Sequence, residues 1–209
     1  MNDYVHRECH RDIMNGKICE RKKKEYVIKP EETFAVIHNC GGCGCKQRFI
    51  NTKRFRVNAN GNRLDVWLIY QCEKCKHTMN LSIYERVDKR KMPKEEYPLF
   101  LRNDEGLAER YGTNYGFFKK NRVEVDWENV VYSVCKDAEH VSGESIEGTV
   151  SLQGTEILVH NPHGIRIRPE KLAGIILNMS RSMVKKQMMQ KSLEVNQQGT
   201  DLEIKFYGE

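Results

Sequence analysis

Between residues 64 and 71 the chain alternates without a break. Leu64, Val66, Leu68 and Tyr70 fall on one side, and Asp65, Trp67, Ile69 and Gln71 on the other. Period two predicts a strand, and apolar groups on both sides mean that it cannot stand alone in water. Phe49, Phe55 and Val57 sit at even spacings upstream, on one face of an extended segment. Between the two segments stands Asn60-Gly61, a pair suited to the positive φ angles of a type I′ hairpin turn. A third strand is expected over residues 80–87. Trp67 is expected to be an ordinary core residue.

From residue 93 the period lengthens. Tyr97, Phe100 and Leu101 are spaced i, i+3, i+4, and Leu107, Arg110 and Tyr111 repeat the spacing. Val130, Val131, Val134 and Cys135 share a helical stripe over residues 126–138. Residues 93–144 therefore predict a helical connector, acidic and aromatic, against which the strands pack. Beyond it, short strands are expected at 146–152 and 156–160, helices at 169–177 and 181–190, and strands at 193–196 and 201–207. Leu172, Ile175, Ile176 and Met179 form the buried face of the first of these helices. Pro169 suits its first turn, and Ser180 is a good N-cap for the next. Residues 1–30 are polar and show no period, which predicts a flexible tail. The resulting expectation is an α+β fold. Its parts are a cysteine-bounded β unit (31–92), a helical connector (93–144) and a small C-terminal α/β domain (145–209).

Composition sharpens this picture. The 209 residues are 31% charged and 39% hydrophobic, with a net charge of +6. No apolar run approaches the length of a membrane span, and the polar start has no secretory h-region, so a cytoplasmic location without membrane association is expected. The charge is unevenly placed. Residues 31–92 carry 12 basic and 6 acidic groups, residues 93–159 carry 7 and 13, and residues 160–192 carry 7 and 1. Such asymmetry points toward a polyanionic partner.

Eight cysteines in a chain of this length fit a reducing compartment and a metal site better than a disulfide framework. Cys40-Gly-Gly-Cys43 and Cys72-Glu-Lys-Cys75 are separated by 28 residues, which the predicted hairpin fills. A hairpin returns to its start, so the two pairs meet, and four thiolates can surround one Zn²⁺ tetrahedrally. Glycines at 41, 42 and 44 let the backbone curl around the sulfurs. Four protein thiolates leave no position for water, so the site is expected to be structural, and so small a ribbon would draw much of its folding energy from the metal. Cys45 is a spare thiol. A redox dithiol at Cys40 and Cys43 is the rival reading, weakened because a strand rather than a helix follows.

The run from Phe55 to Tyr70, Phe-Arg-Val-Asn-Ala-Asn-Gly-Asn-Arg-Leu-Asp-Val-Trp-Leu-Ile-Tyr, set between two C-x-x-C pairs, resembles a bacterial family of uncharacterised proteins, domain-of-unknown-function family 1062. The resemblance covers about residues 26–209. It implies a cytoplasmic zinc-ribbon protein and brings no assigned activity.

A second resemblance lies further on. Arg168, Lys171-Leu172, Leu177, Ser180-Arg181-Ser182, Lys185, Leu193 and Val195-Asn196 form a pattern similar to the small αL RNA-binding domain. That domain occurs in a primary small-subunit ribosomal protein, pseudouridine synthases and tyrosyl-tRNA synthetases. The resemblance implies that Arg168, Lys171, Arg181, Ser182 and Lys185 face RNA, with Lys186 beside them. Lys191 stands where that domain has a helix-ending glycine, and Pro169-Glu170 replaces an apolar–acidic pair. RNA duplexes are read through backbone and shape, which suits a fixed set of cations and hydroxyls.

No catalytic motif is present, and His160 and His163 flank Asn161-Pro162 in what reads as a turn. A non-enzymatic, zinc-containing protein acting on structured RNA such as rRNA or tRNA, or on the ribosome, is the first reading. The alternatives are a protein–protein adaptor or regulator using the ribbon and acidic helices, a DNA-binding helix-turn-helix regulator, an enzyme whose site no motif marks, or an ordinary solvated basic face.

Overall fold

A computed structural model describes residues 11–14, 17–20, 22–136 and 155–207. The chain divides into two compact units. One comprises residues 30–133 with 163–165, and the other the described residues of 1–29, 134–162 and 166–209.

Strands β1 (Arg11–Met14) and β2 (Lys17–Glu20) pair with each other, and β3 (Lys22–Pro30) follows. The first unit is built on a five-stranded antiparallel sheet. Its strands are β4 (Val36–Cys40), β5 (Cys45–Asn60), β6 (Arg63–Cys72), β7 (Thr78–Asp88) and the short β8 (Glu124–Val125), in the order β7-β6-β5-β4-β8. The Asn60-Gly61 turn joins β5 to β6, and Gly61 takes the positive φ of 59° that such a turn requires. Leu64, Val66, Leu68 and Tyr70 all lie on one face and are fully buried. Helices α1 (Glu96–Leu101), α2 (Glu105–Gly112) and α3 (Tyr115–Lys120) cover that face. Phe55 meets Phe100 at 4.9 Å and Tyr70 meets Phe118 at 6.1 Å, both edge-on, and the Tyr70 hydroxyl donates to the Phe34 carbonyl at 3.1 Å. Rings in edge contact add to their burial about 0.5–1.5 kcal/mol each.

A buried carboxylate ties helix to sheet in this unit. Glu96 accepts hydrogen bonds from the Tyr84 hydroxyl (2.8 Å), the Tyr111 hydroxyl (3.3 Å) and the Arg110 guanidinium. Burial first, then the neighbouring carboxylate, pushes the Tyr84 hydroxyl well above its ordinary value.

The second sheet has the order β11-β12-β10-β3-β9, with β9 spanning Tyr132–Lys136, β10 Thr155–His160, β11 Leu193–Gln198 and β12 Asp201–Phe206. β3 and β10 run parallel, Lys22 opposite Thr155 and Val27 opposite His160. Helices α4 (Pro169–Leu177) and α5 (Arg181–Met189) pack on each other and on β11. Pro169 opens α4, Ser180 caps α5 through the Met183 N–H, and Asn178 ends α4 at a φ of 52°.

Four expectations are corrected. The chain is not an α+β fold with a helical connector: it is mostly β, 45% strand against 26% helix, and its helices are short. Helices occupy only the first half of the expected connector, and they lie on the cysteine-bounded sheet itself as the lid of its core. The helix expected at 126–138 is instead a single 3-10 turn (Trp127–Asn129) followed by β9. Val130, Val131 and Val134 satisfy a helical stripe, yet β-branched side chains next to Tyr132 pack better on a pleated surface. The segment expected to be a flexible tail contributes β3 at Lys22–Pro30, with Ile28 fully buried. Its pairing partner β10 lies more than 120 residues downstream, so no local pattern announces it. Trp67 is not a core residue: it lies half-buried on the face opposite the helices. A smaller correction is Ile175, which is 49% exposed while Leu172 and Ile176 are buried. The strand expected at 146–152 lies outside the described residues.

Candidate metal centre and basic helix face

The two C-x-x-C pairs sit at the ends of strands. β4 ends at Cys40 and β5 begins at Cys45, while β6 ends at Cys72, opposite Phe49 of β5. The two turns have one geometry. The Gly44 N–H donates to the Cys40 carbonyl at 2.8 Å, and the Lys76 N–H donates to the Cys72 carbonyl at 3.0 Å. Both donors are left-handed, Gly44 at φ 71° and Lys76 at φ 64°. Each turn thus folds its two sulfurs to the same side. The Cys72 N–H closes the second loop on the His77 carbonyl at 2.8 Å.

The sulfurs of Cys40, Cys43, Cys72 and Cys75 all lie within 4.8 Å of one another. Cys40 Sγ is 3.3 Å from Cys75 Sγ, and Cys43 Sγ is 3.9 Å from Cys72 Sγ. None of the four is in a disulfide. They are close enough to hold a metal ion, and the arrangement fits one. The Cys72 thiol is drawn down to about 7, chiefly by the Cys75 N–H, whereas Cys43 is pushed up to about 12, first by its contact with Cys75. Thiols this close do not all ionise by themselves, and a bound dication would hold all four as thiolates. Gly42 is where the sulfurs leave no room: a Cβ there would stand 2.9 Å from Cys75 Sγ. Cys45 stays outside the cluster, exposed and accepting from the Gln47 amide at 3.1 Å. His38 is occupied with the Asn39 carbonyl at 3.0 Å.

The sequence did not flag Lys76. Its signal was available, since it follows Cys75 as Gly44 follows Cys43, and only a glycine there would have drawn the eye.

On the other unit, Arg168 is the N-cap of α4 and Lys171 lies in its first turn. Arg181 and Ser182 open α5, and Lys185 and Lys186 follow on it. All six are exposed. Ser182 Oγ lies 2.9 Å from the capping Ser180 Oγ. Lys191 ends the helical region at a φ of 58°, the left-handed conformation expected of a glycine. Arg168, Arg181, Lys185, Lys186 and Lys191 form no ion pair among the described residues. Two carboxylates of the sheet in this unit are engaged elsewhere: Glu203 binds Lys205 at 2.9 Å, and Glu194 accepts from the Tyr207 hydroxyl at 2.5 Å. His160 and His163 bond Asp201 and the Thr113 carbonyl respectively, which are structural contacts.

Residues 57–199 match a protein family described as being of unknown function (DUF1062). The chain belongs to this family. The match runs from the hairpin of the cysteine-bounded sheet to the β11–β12 turn, so it takes in one cysteine pair and both basic helices. No curated protein and no solved structure matches the chain. Among the described residues no helix is long and apolar enough to cross a membrane.

Proposed function

We propose that this protein binds structured RNA through the exposed face of α4 and α5, with a structural Zn²⁺ held by Cys40, Cys43, Cys72 and Cys75. The observation that carries the reading is the set of cations without an ion pair among the described residues, Arg168, Arg181, Lys185, Lys186 and Lys191, on a helix pair whose apolar core is built without them. Surface arginines and lysines of a protein built for solubility are interspersed with acids. Here residues 160–192 hold one acid, Glu170, to seven cations.

Arg181 suits a bidentate phosphate contact, Ser182 adds a hydroxyl donor, and Lys171, Lys185 and Lys186 supply further charge. The left-handed Lys191 supports the likeness to the αL domain, because it keeps the helix-ending turn that a glycine makes there and adds a cation. Zinc is the metal of choice for four thiolates in a closed tetrahedron, and its part is to fix the ends of β4, β5 and β6.

The test is binding of a fluorescent RNA stem-loop by the wild type and by the double variant Arg181→Glu, Lys185→Glu. The reading expects tight binding, loss of at least about tenfold in the variant, and weaker binding of a DNA hairpin of equal length. Equal binding of RNA and DNA reduces the interaction to general electrostatics. Absence of both favours an adaptor. Elemental analysis of protein purified without added metal should find one zinc per chain, and a content near zero with reduced thiols overturns the zinc assignment.

A further inference from the structure

The sheet of the first unit has two faces, and its helices cover only one. On the other face the register sets Arg54 opposite Ile69 and Ile69 opposite Asn80, and sets Arg56 opposite Trp67 and Trp67 opposite Ser82. Cross-strand partners share a face, so two arginines, a tryptophan and an asparagine form one patch, with Asn58 beside it. A cavity of about 360 Å³ opens there, lined by Arg56, Val57, Asn58, Trp67 and Asn80. Trp67 is half-buried, so part of its ring is open to the cavity.

A further observation points to a ligand. Arg54 and Arg56 are exposed and without a carboxylate partner among the described residues, whereas Arg48, Arg90, Arg102 and Arg110 each have one. Asp65, the acid opposite Asn58, is occupied with the Arg86 N–H at 2.7 Å.

We propose that this open face binds an unpaired nucleotide of single-stranded RNA, its base stacked on Trp67 and its phosphates neutralised by Arg54 and Arg56. The carboxamides of Asn58 and Asn80 have the donors and acceptors that a base edge requires. An aromatic ring flanked by cations accommodates any base, because every base has a π-face, and its partner must carry repeated negative charge. A duplex keeps its bases stacked inside and cannot use such a platform. The choice of polymer rests on the RNA reading above, but the site is separate from α4 and α5 and its test is independent of them.

The chain has two tryptophans, so Trp127→Phe leaves Trp67 as the sole indole reporter. Hexauridylate, too short to fold, is titrated into this full-length variant at low salt. Saturable quenching is expected. Trp67→Ala and Arg56→Ala, followed with labelled hexamer, should each lower its affinity about tenfold, and Trp67→Phe less. In the Trp127→Phe background, the Arg181→Glu, Lys185→Glu variant should still show saturable quenching of Trp67 by the hexamer, since Trp67 lies on the other unit. No quenching, or hexamer binding unchanged in a folded Trp67→Ala protein, overturns this site. If the stem-loop still binds in that case, the helix-face reading stands. If the hexamer binds at Trp67 but the stem-loop does not depend on Arg181 and Lys185, this site stands and the helix face falls.

Discussion

Gly42 shows how little freedom the cysteine cluster leaves a single residue. Its missing Cβ is the space occupied by Cys75 Sγ, and Gly42→Ala should force the sulfurs apart. Overpacking of this kind costs about 1–3 kcal/mol. The expected outcome is faster loss of metal to a chelator, followed by absorbance of a metallochromic dye. Glu96 is the second such residue. Glu96→Ala would leave two half-buried tyrosine hydroxyls and Arg110 without their acceptor, and an unmet partner withdrawn from water costs about 1–3 kcal/mol. Thermal unfolding should show a midpoint lower by several degrees, with Glu96→Gln restoring part of it. The four metal-site cysteines were legible because the chemistry demands that residue type at that spacing. Glu96 and Trp67 were not. Glu96 looks like any surface acid until Tyr84 and Tyr111 arrive from other elements. Trp67 alternates correctly for a strand, and alternation does not say which face the helices will choose.

At the scale of elements, the hairpin and its turn were readable because Asn60-Gly61 and strict alternation are local signals. The fate of 126–138 was not, because its valines fit a helical stripe by spacing and a strand by their β-branching, and tertiary context decides between them. β3 was hidden for a different reason, its partner β10 being remote in sequence. The helix pair was legible in its boundaries, and Lys191 marks the place where sequence and backbone disagree. A side chain held in the left-handed region costs about 1 kcal/mol relative to glycine. Lys191→Gly should therefore leave stability unchanged or raise it by up to that amount in a urea titration, while weakening RNA binding through the lost cation.

Metal removal is also an event at this scale. The sheet carrying the cysteines is roofed by α1–α3 and filled by Tyr70, Phe34, Phe100 and Phe118, so, against the expectation of a ribbon held up by metal, its core is expected to persist without an ion. Chelation, or Cys72→Ser, should raise amide exchange at residues 40–45 and 72–77 and leave the near-ultraviolet aromatic signal in place. Because each sulfur must shed its proton to ligate, metal retention should weaken as pH falls. Collapse of the aromatic signal on chelation would mean that the ion holds up the whole unit.

At the scale of the whole molecule, the two proposed RNA-binding features are the α4–α5 face and the Trp67 platform. They lie on different units and rest on different sheets. The uneven charge of residues 160–192 announced the first in the sequence, whereas nothing in the composition says that Arg54 and Arg56 would share a face with Trp67. The most direct test of the RNA reading is the salt dependence of stem-loop binding, measured for the wild type and for Arg181→Glu, Lys185→Glu. Each phosphate contact releases counterions, so the slope of log K against log salt should flatten by roughly one unit per cation removed, with affinity falling at every salt concentration. An unchanged slope and an unchanged affinity in the folded double variant would contradict it.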